Sequence, residues 1–405
     1  MNDYHQSGLV ATLHNLTNPS LDILEQQLVQ FSKKRPITLI LPCLFSELEG
    51  PALHNIIEQL SHVPYLNHIV IGLDRADETQ YKYAKDYFSK LPQEHKVLWN
   101  DGAKLQEIDQ KLKSGNLAPL ELGKGRNVWY CIGYVLASAK TEVIALHDCD
   151  ITTYSRDLLA KLVYPVANPS FNYLFSKGYY PRIGDGRING RVTRLLVTPL
   201  LIGLKKIIGN NAYIDYLASF RYPLAGEFAM RTSILPDIRI PSDWGLEIGI
   251  LSEVWRNLNE RTICQVDIAD KYDHKHQSLS KDNPKQGLSR MSMDIAKVIF
   301  RKLALDGIVF HQETFRTLKA IYLRTALDII EAYYNDAVMN GLIVDRHKDE
   351  EAVELFAANI VEAGQVFLDN PMEAPFIPNW RRIQSAIPDL LQELNEAVEA
   401  DNASL

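Results

Sequence analysis

Between residues 37 and 148, wholly apolar runs alternate with amphipathic ones. ITLILPCL (37–44) is β-branched and apolar and breaks at Pro42, the pattern of a strand buried on both faces. LHNIIEQL (53–60) sets Leu53, Ile56, Ile57 and Leu60 at helical spacing. HIVIGLD (68–74) predicts a second buried strand with Asp74 at its end. DETQYKYAKDYF (77–88) predicts a helix whose acidic first turn suits the helix dipole. KVLWN (96–100) predicts a third strand, RNVWYCIGYVLASA (126–139) a helix, and EVIALHD (142–148) a fourth strand. This alternation predicts an α/β fold, a parallel sheet with helices on both faces. Such sheets bind ligands at the carboxyl ends of their strands. Pro42, Asp74, Asn100 and Asp148 would all lie along that edge.

After residue 150 the pattern changes. Asn172–Tyr180 and Arg261–Ile268 read as strands set among helices and loops, and from about residue 285 the chain reads as almost wholly helical. Leu318–Tyr334, Glu350–Leu368 and Pro388–Val398 are amphipathic, the last with its proline in the first turn, where it is tolerated. PMEAPFIPNW (371–380) is a proline-rich break before that helix. The expected organisation is an N-terminal segment (1–35), a core (36–305) with halves meeting at residue 150, and a helical extension (306–405). The apolar faces of the extension would pack on the core or make a dimer; the pattern leaves both open.

Composition narrows the class. The 405 residues suffice for one large or two ordinary domains. A hydrophobic content of 46% and a charged content of 23% are those of a globular protein. A net charge of −7 speaks against a nucleic-acid partner, which would call for a basic face. Cys43, Cys131, Cys149 and Cys264 lack CxxC spacing, which argues against a zinc site and a disulfide framework and fits a reducing cytosol. The N-terminus shows no basic segment followed by an apolar core, so no signal peptide is expected. The most apolar stretch, Leu195–Leu204, contains Pro199 and is too short to span a bilayer, so no membrane partner is expected.

Candidate chemistry begins at ALHDCDIT (145–152). Asp148 and Asp150 lie two apart, so on an extended strand they share a side and repel unless a positive charge intervenes. Hard divalent cations take one or two protein carboxylates together with substrate phosphates. The same spacing also suits an acid pair, or aspartates capping the next helix. GKGRN (123–127) offers a close backbone approach and Lys124 at a helix start, where a phosphate would bind; a flexible turn is the alternative. PCLFSELEG (42–50) could hold a base or ribose, or be a solvated loop. Lys177, Arg182, Arg191 and Arg194 cluster in sequence, which in an acidic chain suggests a small anion or a set of surface ion pairs. LAGEF (224–228) and SDWGLEIG (242–249) carry Glu227, Asp243 and Glu247 beside glycines, as site loops or surface turns do. KYDHKH (271–276) adds His274 and His276, a residue type that often ligates metal.

Taken in order, LPCL (41–44), GKG (123–125), DCD (148–150), GRVTRLLVTPLL (190–201), LAGE (224–227), WGLEIGIL (244–251) and His274 resemble a nucleotide-sugar glycosyltransferase. More narrowly, they resemble the retaining glucosyl-3-phosphoglycerate synthases, over roughly residues 36–300. The related mannosylglycerate synthases share the DxDIT, L-x-GE and SDWG features and a helical extension, but lack the GRVT segment. The resemblance implies a GT-A (Rossmann-like nucleotide-diphospho-sugar transferase) fold with a C-terminal helical extension. It implies transfer of glucose, with retention, from UDP-glucose or another NDP-glucose to the 2-hydroxyl of 3-phospho-D-glycerate.

The implied nucleotide-sugar set is Pro42, Leu44, Glu47, Asp74, Lys124, Asp148 and Cys149. Asp150 and His274 would bind Mg2+ or Mn2+. Lys177, Gly190, Arg191, Thr193 and His276 would form the acceptor set, and Leu224, Glu227 and Glu247 the catalytic set. A cytoplasmic homodimer is expected. Three positions depart from the family pattern: Cys149 replaces its serine or alanine, Ala225 its first LGGE glycine, and His276 stands near its acceptor asparagine. Competing readings are a mannosyl- or glucosylglycerate synthase acting on free glycerate, a nucleotidyltransferase, and a non-enzymatic nucleotide-sugar-binding module.

Overall fold

The structure, a computed structural model, describes residues 6, 8–119, 121–241, 245–274, 287–371 and 376–403. In chain order its strands are β1 (Ala11–Leu13), β2 (Ile37–Leu44), β3 (Leu66–Asp74), β4 (Glu94–Trp99), β5 (Val143–Leu146), β6 (Phe175–Tyr179), β7 (Ile183–Gly184), β8 (Arg187–Ile188), β9 (Phe228–Arg231), β10 (Ile240–Pro241), β11 (Ile263–Asp267) and β12 (Phe376–Ile377). Its helices are α1 (Leu21–Ser32), α2 (Pro51–Ser61), α3 (Glu78–Phe88), α4 (Ala103–Ser114), α5 (Lys124–Ser138), α6 (Arg156–Ala167), α7 (Thr198–Ile208), α8 (Ala212–Ser219), α9 (Leu246–Asn257), α10 (Gly287–Leu305), α11 (Gln312–Met339), α12 (Arg346–Asp369), α13 (Trp380–Ala386) and α14 (Leu390–Ala403).

Eight strands form one sheet in the order β1-β11-β6-β9-β5-β2-β3-β4. Strands β2, β3 and β5 show no polar alternation because both faces of the sheet are covered. Ile40, Val70, Ile144 and Leu146 enter the core shared with α5 and the C-terminal helices. Leu39, Leu41, Ile69, Ile71, Val143 and Ala145 enter the core under α1, α2, α3 and α6. Helix α3 starts as its acidic first turn suggests. Asp77 caps it, accepting from the Gln80 amide at 2.8 Å, while Gln80 accepts from the Asp77 amide.

Three features differ from the sequence-based expectation. The sheet is mixed, because β9 runs antiparallel between β5 and β6. The first 35 residues supply α1 and strand β1, which pairs in parallel with β11. The fourth strand stops at Leu146, so Asp148 and Asp150 lie beyond it.

The C-terminal helices pack on the core rather than stand apart. Residues of α10, α11, α12, α13 and α14 share one apolar cluster with α5, α7 and α9. Trp380 of α13 stacks on Trp129 of α5 at 4.0 Å between ring centroids, and its Nε1–H donates to the Trp129 carbonyl at 3.2 Å. Gly133 makes room, since a Cβ there would lie 2.1 Å from the Trp380 ring. Helix α14 covers the outer edge of β4. The Asn402 side chain accepts from the Val97 amide and donates to the Val97 carbonyl, both at 3.0 Å, as a neighbouring strand would. Among the described residues no helix is long and apolar enough to cross a membrane.

Candidate active site

The carboxyl ends of β2, β3 and β5 open into a cavity of about 990 Å³. Past β5, the His147 amide still donates to Ile40, after which the chain turns through Asp148, Cys149 and Asp150. Ile151 then bridges to His274 in antiparallel pairing. The Thr152 amide donates to the Asp273 carbonyl, and the Asp273 amide to Thr153 Oγ1, both at 3.0 Å. This short ladder joins the DCDIT turn to the segment after β11. It sets His274 Nδ1 3.8 Å from Asp150 Oδ2.

The two aspartates have different surroundings. Lys124, the first residue of α5, places its Nζ 2.6 Å from Asp148 and 3.2 Å from Glu247. Burial alone would raise the Asp148 carboxyl, but the Lys124 ammonium outweighs it and holds the group below its ordinary range. Burial would likewise lower the Lys124 ammonium, but Asp148 and Glu247 outweigh that and raise it. Asp150 has no such lysine contact among the described residues. Burial, then the Asp148 charge, pushes its carboxyl up to about 7. Gly226 lies against this pair, where a Cβ would fall 2.6 Å from Asp148 Oδ2, so the retained second glycine of the LGGE motif has a steric cause.

Among the described residues no group of three or more His, Cys, Asp or Glu is arranged to hold a metal. Asp150 and His274 make a two-donor set, which fits a hard divalent cation whose remaining ligands are phosphate oxygens and water. The crowding of Asp150 by Asp148 is what such a cation would relieve.

Beyond the ends of β2 and β3 and in the DCD turn, Pro42, Leu44, Glu47, Asp74 and Cys149 line the cavity. Asn127, one turn beyond Lys124 on α5, donates to Asp74 Oδ2 at 3.0 Å and to the Gly72 carbonyl at 2.7 Å. A Cβ on Gly72 would lie 1.8 Å from Asn127 Oδ1, so the helix approaches β3 only because residue 72 is glycine. Sequence reasoning missed Asn127. Its spacing of three from Lys124 on a helix was the available signal.

At the far end, Gly190 has φ +76°, a turn that glycine adopts without strain. It leads into a π-helical stretch, Val192–Val197. Arg191 and Thr193 line the cavity, and buried Thr193 Oγ1 has no hydrogen-bond partner among the described residues. Arg182 lines it too, with its buried Nε and Nη2 likewise without hydrogen bonds. Arg194 is buried instead. Its Nε donates to the Asn189 carbonyl, and its terminal nitrogens lie 3.3 and 3.4 Å from Asp349 of α12. No local pattern marks Asp349, which lies 158 residues from its partner Arg191.

No protein-family model matches the sequence. A glucosyl-3-phosphoglycerate synthase of Persephonella marina is 45% identical over 403 residues, covering all of both chains. One of Methanococcoides burtonii is 40% identical, covering 98% of each. The chain belongs to the glucosyl-3-phosphoglycerate synthase family. Among solved structures it is similar to a glucosyl-3-phosphoglycerate synthase of Mycobacterium tuberculosis in complex with Mn2+, UDP-glucose and phosphoglyceric acid. That likeness has a TM-score of 0.54 and 20% identity, covers 75% of this chain and 90% of that one, and speaks to the fold alone. The GT-A α/β fold and a glycosyltransferase activity follow from membership in the glucosyl-3-phosphoglycerate synthase family.

Two residues expected in the site of such a synthase sit behind it. Lys177 of β6 is 1% exposed and does not line the cavity. Its ammonium donates to the Ala225 carbonyl and lies over the Phe228 ring, and burial lowers it to about 8. Glu227 is fully buried and accepts from the hydroxyls of Tyr180 and Tyr272, each at 2.6 Å. Those rings stack with centroids 3.7 Å apart. Burial followed by the Asp148 charge raises the Glu227 carboxyl. Lys177 and Glu227 therefore brace the Leu224–Gly226 loop from beneath, and Leu224 and Glu247 are the members of the catalytic set that reach the cavity. Lys177, expected in the acceptor set, and Glu227, expected in the catalytic set, thus lie outside the cavity lining. His276, and Ser242, Asp243 and Trp244 of the SDWG segment, lie outside the described residues.

Proposed function

We propose that the protein transfers glucose, with retention, from UDP-glucose to the 2-hydroxyl of 3-phospho-D-glycerate, giving glucosyl-3-phosphoglycerate. One observation carries this reading. A single cavity joins an end built of Asp148, Asp150, His274 and Lys124 to an end built of Arg182, Arg191 and Thr193. The first suits a nucleotide diphosphate and the second a small, highly charged anion. The names of the full-length relatives support the pairing.

In this reading Pro42, Leu44, Glu47 and Asp74 hold the nucleoside, and Asp148 aims the Lys124 ammonium at the diphosphate. A magnesium or manganese ion held by Asp150 and His274 would supply charge stabilisation for the leaving diphosphate. Glu247 binds sugar hydroxyls, with Lys124 fixing its carboxylate. Gly190, Arg191 and Thr193 take the phosphate or carboxylate of the acceptor, and the Leu224 backbone borders its reacting hydroxyl. Glu227, enclosed by two tyrosines, has no path to the sugar as a nucleophile. Same-face attack, with the acceptor proton passing to the departing phosphate oxygen, accounts for retention without a covalent intermediate.

The acceptor end favours 3-phosphoglycerate over free glycerate. Arg182, Arg191 and Arg194 outnumber the carboxylates that face them, Asp273 and Asp349, by one, which suits an anion, and the names of the relatives support the phosphorylated acceptor. The test is a matrix of UDP-glucose, GDP-glucose and GDP-mannose against 3-phosphoglycerate and glycerate, with Mn2+ or a chelator. The expected maximum in kcat/KM is UDP-glucose with 3-phosphoglycerate, lost with the chelator. A maximum with glycerate, or turnover that survives chelation, overturns the reading. Residues 36–305 as catalytic unit, residues 306–405 as extension, a homodimer and a cytoplasmic location belong to the same proposal. Sedimentation analysis tests the dimer.

A further inference from the structure

The helical extension enters the acceptor end through the start of α12. The Ile343 amide donates to the Gly186 carbonyl at 2.8 Å, tying the segment before α12 to the β7–β8 hairpin. Beyond that tie, Asp349 is 3% exposed and lies in the first turns of α12, where the helix dipole favours a carboxylate. Its Oδ1 accepts from Arg191 Nε at 2.8 Å. Its Oδ2 faces both terminal nitrogens of Arg194. Arg194 is held in turn by the Asn189 carbonyl and by the Tyr333 ring of α11, 4.7 Å from its guanidinium carbon.

We infer that Asp349 is a positioning residue for the acceptor, orienting Arg191 from the C-terminal extension. This rests on the acceptor reading above. A guanidinium is a planar fork. Held at Nε, it keeps one edge, formed by the two terminal nitrogens, for bidentate binding of a phosphate or carboxylate. No hydrogen bond reaches those nitrogens among the described residues, and the Arg191 side chain is 34% exposed toward the cavity that it lines. Two arginines against one carboxylate leave one net positive charge, so Asp349 orients the site without neutralising it. Arg194 fixes Asp349, and Asp349 fixes Arg191. The extension thereby completes the acceptor end rather than only covering apolar surface.

The experiment compares full-length wild type with Asp349→Asn, Asp349→Ala, Arg191→Ala and the Arg191→Ala/Asp349→Asn double variant, using UDP-glucose, 3-phosphoglycerate and Mn2+. A charge-assisted hydrogen bond at this strength corresponds to a rise of roughly ten- to a hundredfold in acceptor KM for Asp349→Ala. The KM for UDP-glucose should stay within about twofold. Asp349→Asn keeps an oxygen that accepts the Nε–H, so it should fall between wild type and Asp349→Ala. In the double variant the Asp349 change should add nothing, since its target is gone. Equal rises in both KM values, a loss confined to kcat, or additivity in the double variant overturns the inference while leaving the acceptor reading intact. A wild type that ignores 3-phosphoglycerate overturns both. Should Asp349→Ala fail to fold, Asp349→Asn and the double variant still decide.

Discussion

His68 on β3 carries an imidazole that makes no hydrogen bond among the described residues. It is 3% exposed, neither ring nitrogen has a partner among the described residues, and its ring lies 5.9 Å from that of Tyr134. Burial pushes the imidazole down to about 4; Lys140 and Lys96 act in the same direction, and Glu94 and Glu399 oppose them. The unfolded chain therefore binds a proton on this residue below its ordinary value of 6.5, while the folded chain holds none until about 4. Stability from His68 is complete above pH 6.5, declines as the pH falls, and is fully lost below about 4. At pH 5, about one and a half units into that window, the loss is about 2 kcal/mol, at about 1.4 kcal/mol per unit. The assay is urea unfolding of wild type and His68→Phe, with chelator, at pH 7.5 and pH 5.0. Any pH-independent cost of the larger ring cancels when each protein is compared with itself. Wild type should lose about 2 kcal/mol more than the variant on acidification. Equal losses would refute the claim that His68 is buried neutral.

Other outcomes follow from the same geometry. Trp380→Ala removes the stack on Trp129 and should cost about 3–5 kcal/mol in urea unfolding. Gly226→Ala drives a methyl against Asp148 and should lower kcat/KM for the donor at least about tenfold, with under about 3 kcal/mol change in stability; an unchanged donor kcat/KM would show that Asp148 tolerates displacement. Asp150→Asn should abolish metal-dependent transfer yet leave the metal-free protein at pH 8 no less stable than wild type. Burial and the Asp148 charge make an ionised Asp150 unfavourable above its raised value of about 7, so a lower melting temperature in the variant contradicts that account.

The legible parts of the fold were those whose burial is written in consecutive residues. β2, β3 and β5 are apolar on both faces, so they stand out as runs. β9 did not, because four residues, FAMR, follow a glycine loop and read as its continuation. Its antiparallel course depends on β5 and β6 leaving a gap between them, which no local pattern encodes. β1 is three residues long and exists by pairing with Cys264–Val266. In the site, Asp150 and His274 were found by residue type, and the Ile151–His274 bridge is what unites them. Lys177 and Glu227 have the right chemistry but point beneath the loop, a matter of which way a strand faces. Asp349 was invisible because its role depends on where a distant helix begins.

Asn402 closes the β4 edge by imitating a strand at Val97, 305 residues earlier in the chain. On a ribosome adding about 5–20 residues per second, β4 emerges roughly 15 to 60 s before α14 exists. During that interval the outer amides and carbonyls of β4 have only water, or another nascent chain, to pair with. Strands β2, β3 and β4 can thus assemble early while their margin stays adhesive. Release of a truncated product lacking α14 would leave that margin permanently open, so incomplete chains of this enzyme should be the species that aggregate.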